Sequence, residues 1–391
     1  MTDTLSPARP AAAAFDLVDR LAGLPADSPV TRLRHARAEV RSATQGSFEA
    51  LFDGADGIKL SPLERELAAL RVAALQFDAA LAGFHRSRAR RLGADDELLE
   101  SIEQRPAHSA DGDRLSSLLA FIDRPTLHPA AATPDHLAEL QRHGLDAPAL
   151  VTLAQLVAFE NYLVRASAGL RALDALPPAA TGLPVAAPEA WIAGRNILVA
   201  SPPASGGFTL KALEWRAWLP TVDAAQASAA QLAVLDESNS AARTSPYYLT
   251  LVHNPAVLRQ RSKLFNAIMY GTGGLPRAER ELATVAVSRL NGCPYCASVH
   301  ARLFAQLTKE PEVVQRLFDE GVNTPLSPRR RGLVDLAVDL TANPPALAAE
   351  RLQALRQLGL SDLELLDAVH AAAIFAWANR LMQTLGEPVG F

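Results

Sequence analysis

The sequence predicts an all-α protein of two tandem helical domains produced by an internal duplication. Three observations carry that expectation. Sliding the chain by 215 residues lays Glu64-Arg65-Glu66-Leu67-Ala68 on Glu279-Arg280-Glu281-Leu282-Ala283. The same ungapped shift lays His85 on His300, Pro129 on Pro344, Gly144-Leu145 on Gly359-Leu360 and Arg165 on Arg380. One offset held over roughly 100 residues marks a repeat, and two copies mean two domains and not a solenoid. Apolar residues also recur at helical spacing, as Leu282, Val285, Ala286 and Leu290 do. Finally, no convincing run alternates apolar and polar residues as a strand would. Tyr247 to Val252 is β-prone but short and isolated.

The elements follow in order. Residues 1–14 are Pro/Ala-rich and are expected to be disordered. They lack the charged start and continuous apolar core of a signal peptide. Residues 15–172 form the first domain, with Pro62 near a first helical turn and acidic residues after it. Residues 173–229 read as an extended linker, with Leu176-Pro177-Pro178, Ser201-Pro202-Pro203 and Gly206-Gly207. The linker ends in a segment expected to be a short helix carrying Trp215 and Trp218. Those two rings either anchor the linker to a core or cap the mouth of a site. Residues 230–391 form the second domain, with Pro276 near a first turn and helix-length segments through Val313, Leu317, Leu333, Leu336, Leu352, Leu355, Leu365 and Leu366.

The bulk composition narrows the function. Apolar residues make up 49% and charged residues 20%, with a net charge of −4, as in an ordinary globular protein. Arg86 to Arg91 and Arg329 to Arg331 are short runs suited to solvated helix faces, so no nucleic-acid partner is expected. No continuous apolar run approaches the ~20 residues that span a membrane. Two cysteines in 391 residues are no disulfide framework and fit a reducing, cytoplasmic setting. No nucleotide-binding Gly-rich turn occurs, so no bound NADPH, flavin or other cofactor is expected.

Those two cysteines form Cys293-Pro294-Tyr295-Cys296, with Glu281 before and His300 after. Asn291-Gly292 reads as a helix stop and Cys293-Pro294 as the next helix start. Both thiols then sit in a first turn, where the helix dipole favours thiolate. Cys293 and Cys296 share a face, His300 lies one turn beyond Cys296, and Glu281 folds back from the preceding helix. A thiol reacts as thiolate, a His can take its proton, and a carboxylate can orient the His. A second thiol converts a sulfenic acid to a disulfide before overoxidation. Cys296, nearer the His, is assigned the attack, and Cys293 the resolving role. The N-terminal copy keeps Glu66 and His85 but has Asp78 and Leu81 in place of the thiols, so it cannot do dithiol chemistry.

Other readings remain open at this point. Cys293, Cys296, His300 and Glu281 are conceivable zinc ligands, although the spacing matches no common zinc site and no second thiol pair exists. The cysteines can also be two small buried hydrophobes. Glutaredoxins carry Cys-Pro-Tyr-Cys after a strand, whereas both flanks here read as helical. Glu66, Asp78 and His85 form a degenerate second site that either holds a metal or small ligand or is purely structural.

Glu281, eleven residues, Cys293, two residues, Cys296, three residues, His300 resembles the alkylhydroperoxidase D/carboxymuconolactone decarboxylase superfamily in its Cys-x-x-Cys branch. Leu275-Pro276, Glu279-Arg280-Glu281-Leu282 and Phe375-Ala376-Trp377-Ala378-Asn379-Arg380 look like it too. The resemblance covers the C-terminal copy well and the N-terminal copy weakly. It implies two alkylhydroperoxidase D-like helical domains, each around a helical hairpin, and reduction of organic hydroperoxides or H2O2. It implies Cys296 as peroxidatic, Cys293 as resolving, and Glu281 and His300 as a proton relay, with no metal. It implies an external thiol reductant, thioredoxin-like or dihydrolipoyl, and a homo-oligomer, here a trimer or dimer. The best-known members carry a His where this chain has Tyr295, which either donates to a peroxide oxygen or lines the pocket. Thiol–disulfide exchange with a partner or lipoyl disulfide, and a non-redox lactone-decarboxylase-like or binding role, are the competing functions.

Overall fold

The computed structural model describes residues 16–54, 57–106, 112–177 and 207–391. The expectations for residues 1–14 and for most of the linker fall outside the described residues. In the N-terminal half the helices are α1 (Leu17–Ala22), α2 (Pro29–Arg34), α3 (Ala38–Phe52), α4 (Pro62–Leu75), α5 (Ala79–Arg91), α6 (Asp96–Gln104), α7 (Arg114–Leu127), α8 (Pro134–Arg142) and α9 (Ala147–Asp174). The C-terminal half has α10 (Ala229–Ser238), α11 (Pro246–Leu251), α12 (Pro255–Tyr270), α13 (Arg277–Leu290), α14 (Pro294–Thr308), α15 (Pro311–Asp319), α16 (Pro328–Thr341), α17 (Ala349–Gln357) and α18 (Asp362–Thr384). The fold is all-α, as the sequence predicts.

The second set of helices repeats the first. Shifted by 215 residues, the starts of α4, α5, α6, α8 and α9 fall on those of α13, α14, α15, α17 and α18. Local chemistry sets these starts. Ser61 and Ser361 form capping boxes with Glu64 and Glu364, and Pro62 occupies the first turn of α4.

The halves join through their longest helices. α9 packs along α18, and α3 along α12. Tyr162 and Trp377, equivalent under the shift, meet with ring centroids 6.0 Å apart, and the Trp377 indole donates to Gln155 Oε1 at 2.8 Å. Buried apolar side chains of both halves form one continuous core. Within each half a hairpin packs against this seam, α4–α5 in the first and α13–α14 in the second.

One local expectation is corrected. The Trp segment is not a helix but strand β1 (Glu214–Ala217), paired antiparallel with β2 (Gly386–Val389). Trp215 is buried and the residues on either side of it are exposed, the period-two pattern of a strand. Its partner lies at the far end of the sequence, out of reach of a local reading. Tyr247 to Val252 falls mostly in α11, where Pro246 supplies the first turn. α9 is long and apolar enough to cross a membrane, because Glu160 and Arg165 only punctuate it. Its most apolar window is 89% buried inside the protein, as befits a core helix.

Candidate active site

The site hairpin is written in a few residues. α13 ends at Asn291, Gly292 takes φ +64°, and Cys293 becomes the N-cap of α14 with Pro294 in its first turn. Only glycine adopts that φ without strain. The Cys293 N–H donates to the Ser288 carbonyl at 2.9 Å, folding the turn back on α13. Both cysteines are free thiols, Cys293 1% and Cys296 4% exposed. The open N-terminus of α14, through the Cys296 N–H, favours charge on either sulfur.

The two thiols differ in acidity. Burial pushes Cys293 well up, and the hydrogen bond with Cys296 pushes it further. The Cys293 thiol holds Cys296 below its usual value despite burial, helped by Asn379 and the charge of Arg261. The pair is thus asymmetric, with Cys296 the more acidic thiol and Cys293 the less acidic.

Glu281, buried on α13, reaches His300 on α14, with Oε2 and Nδ1 2.5 Å apart. The Arg277 guanidinium holds the other carboxylate oxygen. Burial raises the Glu281 pKa, but His300 and Arg277 outweigh it and hold the carboxyl below its usual value. With Nδ1 committed, Nε2 is the nitrogen left for chemistry. Phe375 presses edge-on against the imidazole at 4.5 Å. The structure therefore joins Glu281 to His300 and Cys293 to Cys296, with His300 one helical turn beyond Cys296.

Tyr295 is partly buried, and burial followed by the Cys296 charge pushes its phenol up. Trp215 anchors the strand pair, its indole donating to the Met382 carbonyl at 2.9 Å. It also meets Tyr247 edge-on at 5.5 Å. Trp218 is partly buried and ties the same segment down through its backbone N–H, which donates to the Leu385 carbonyl at 2.9 Å.

Asn379 is a site residue that sequence reasoning does not single out. Fully buried on α18, it donates to Ser288 Oγ and accepts from Asn291 Nδ2, each at 3.0 Å, and its amide favours charge on both thiols. Arg261, Arg277 and Tyr247 also escape it. Asn379 does stand in the family-like run Phe375 to Arg380, which is the signal that could have found it.

In the other half, His85 Nδ1 lies 2.8 Å from Glu66 Oε2. Asp78 does not join them. It caps α5 through the Leu81 N–H and pairs with Arg171. Glu160 of α9 comes instead, 3.3 Å from His85 Nε2. Among the described residues no group of three His, Cys, Asp or Glu side chains is arranged to hold a metal ion. A groove of about 460 Å³ lined by Leu210, Arg302 and Lys309 lies on α14 and does not include the cysteines.

A buried Glu–His pair and an asymmetric Cys-x-x-Cys on one helical hairpin define a candidate thiol-redox centre. The carboxymuconolactone decarboxylase family model matches residues 255–322, which hold α12, α13, α14 and this centre. A crystal structure of an alkylhydroperoxidase AhpD core, an uncharacterized peroxidase-related protein from Ralstonia eutropha JMP134, is 26% identical. The match covers 45% of this chain and 90% of that one, with a TM-score of 0.39. A peroxidase-related protein from Silicibacter sp. TM1040 is also 26% identical, over 36% of this chain and 75% of that one, with a TM-score of 0.34. No curated protein matches.

Proposed function

We propose that the chain is a thiol peroxidase that reduces organic hydroperoxides or H2O2 through Cys296 and Cys293. The observation that carries the reading is the Cys293–Cys296 pair at the start of α14, with His300 one turn further on and bonded to buried Glu281, and the opposed shifts of the two thiols agree with it. The Cys296 thiolate attacks the distal peroxide oxygen. An S–O bond forms as the O–O bond breaks, and the leaving alkoxide takes a proton from His300 to give the alcohol. Cys293 then attacks the sulfenic sulfur. An S–S bond forms, the S–O bond breaks, and the departing hydroxide gains the Cys293 proton to leave as water. Glu281, held by Arg277, orients His300 through its Nδ1. An external dithiol, thioredoxin-like or dihydrolipoyl, returns two electrons and two protons. The N-terminal half, with Asp78 and Leu81 in place of thiols, serves as the structural partner of the catalytic half.

The test is one equivalent of cumene hydroperoxide added to the reduced protein, followed by mass spectrometry. The expected result is rapid loss of two hydrogens with a Cys293–Cys296 disulfide, and no peroxide consumption by Cys296→Ser. Thiols that ignore peroxide yet exchange rapidly with a lipoyl disulfide would replace this reading with disulfide exchange.

A further inference from the structure

Arg261 is the charged group that the chemistry above leaves unexplained. It sits on α12 and is only 5% exposed. Its guanidinium lies over the rings of Tyr247 at 5.4 Å and Phe265 at 5.2 Å. Among the described residues it makes no hydrogen bond or ion pair. Its nitrogens are not sealed from solvent, so an incoming anion can reach them, and its flat fork of N–H donors matches a carboxylate.

Its neighbours place it in the thiol site. Its charge acts on Cys296. Phe265 spans the distance from Arg261 to the imidazole, with ring centroids 6.4 Å from His300 and 6.1 Å from Phe375. The hydroxyl of Tyr247, whose ring this cation covers, is buried and has no hydrogen-bond partner among the described residues.

We propose that Arg261 is the anion subsite of the thiol centre, and that the oxidant is an organic hydroperoxide carrying a carboxylate on an apolar body. The Arg261 fork takes the carboxylate, the Tyr247 hydroxyl donates to it, and Phe265 packs the apolar part between the carboxylate and Cys296. Pairing with the Cys296 thiolate alone does not suffice, because that charge vanishes on oxidation and leaves the cation bare. Only the nature of the oxidant rests on the peroxidase reading. The anion subsite itself does not.

The reduced protein is alkylated with iodoacetate and, separately, with neutral iodoacetamide, and the Cys296 rates are compared with those of N-acetylcysteinamide. The expected iodoacetate-to-iodoacetamide ratio at Cys296 is about tenfold above that of the free thiol, as one charge-assisted contact gives. Arg261→Gln should return the ratio to that of the free thiol, and Arg261→Lys should restore part of it. A role in thiolate stabilisation alone would slow both reagents alike and leave the ratio unchanged, which would overturn the subsite. A Cys296 that neither reagent reaches would overturn it too, since a site open to carboxylates admits iodoacetate. A fatty-acid hydroperoxide and its methyl ester then test the oxidant. A lower KM for the acid, lost in Arg261→Gln, is expected. Equal KM values alongside charge-selective alkylation would overturn the carboxylate-bearing oxidant, while inertness to both peroxides would sink the peroxidase reading and leave the subsite standing.

Discussion

Arg165 and Arg380, equivalent under the 215-residue shift, each reach across the seam to the same point on the opposite half. Arg165 donates to the Thr341 carbonyl at 3.5 Å, and Arg380 to the Thr126 carbonyl at 3.0 Å. Thr126 and Thr341 are themselves equivalent, at the ends of α7 and α16. The contact is therefore reciprocal, as between the subunits of a two-fold dimer, but within one chain. Each arginine answers carbonyls that a helix end leaves without an intrahelical partner.

That seam sets a first prediction. Burial pushes both guanidinium pKa values down, Arg165 to about 10, and the nearby charge of Arg165 lowers Arg380 further. No carboxylate among the described residues pairs with either. Arg380→Met loses the Thr126 bond but relieves two like charges and keeps most of the volume. It should cost about 1–2 kcal/mol in urea denaturation. Arg380→Ala adds a cavity and should cost about 3–5 kcal/mol. Equal costs would show that filling the seam is not the role of this side chain.

The second prediction concerns the approach of α9 to α18. A Cβ on Gly169 would stand 2.2 Å from Val369 Cγ1. Gly169→Ala should therefore destabilise by about 1–3 kcal/mol, despite the better helix propensity of Ala. Val369→Ala clears the space, so the double variant should be more stable than the sum of the single effects by about 1 kcal/mol. Strict additivity in a denaturation cycle would place the close approach elsewhere.

Much of the fold and of the thiol site is legible in the sequence. The 215-residue offset carries α4, α5, α6, α8 and α9 onto their partners because capping and turn residues are local. Glu281, Cys293, Cys296 and His300 are readable because one hairpin, turned at Gly292, holds all four. What is not readable arrives from a distance. Asn379 comes from α18, Arg261 from α12, and β1 finds its partner only near the C-terminus. Glu160 leaves a faint trace, since a carboxylate amid the apolar residues of α9 demands a buried partner. Nothing local says that the partner is His85.

That buried group gives a third prediction. Burial would lower the His85 pKa, but the charges of Glu160 and Glu66 outweigh it and push it up from 6.5 to about 9. A histidine raised in the folded state adds stability below pH 6.5 and loses it as pH rises through about 9. Burial also raises Glu160 above its ordinary value, which acts in the same direction as pH rises. Urea denaturation should show stability falling between pH 6.5 and 9, by on the order of 1–3 kcal/mol. Glu160→Gln should flatten the fall by removing the charge that holds His85 protonated. A wild-type stability constant across that window would refute the assignment of charge to His85.

The last prediction turns on Asn379, which links α18 to both thiols. Cys296 is held below its ordinary value first by the Cys293 thiol, then by Asn379 and by the charge of Arg261. Asn379→Leu removes one of these supports while roughly keeping the volume, so the pH midpoint of Cys296 alkylation by iodoacetamide should move up. Asn379→Asp puts a carboxylate where the amide stood and should move it further, since like charge disfavours the thiolate. The Leu variant also strands Asn291 Nδ2 and removes a donor from Ser288 Oγ, at a cost of about 1–3 kcal/mol in stability. That cost alone would leave the alkylation midpoint where it was. A midpoint that rises in the order wild type, Leu, Asp therefore separates electrostatic support of the thiolate from simple packing, and one midpoint common to all three would assign Asn379 to packing alone.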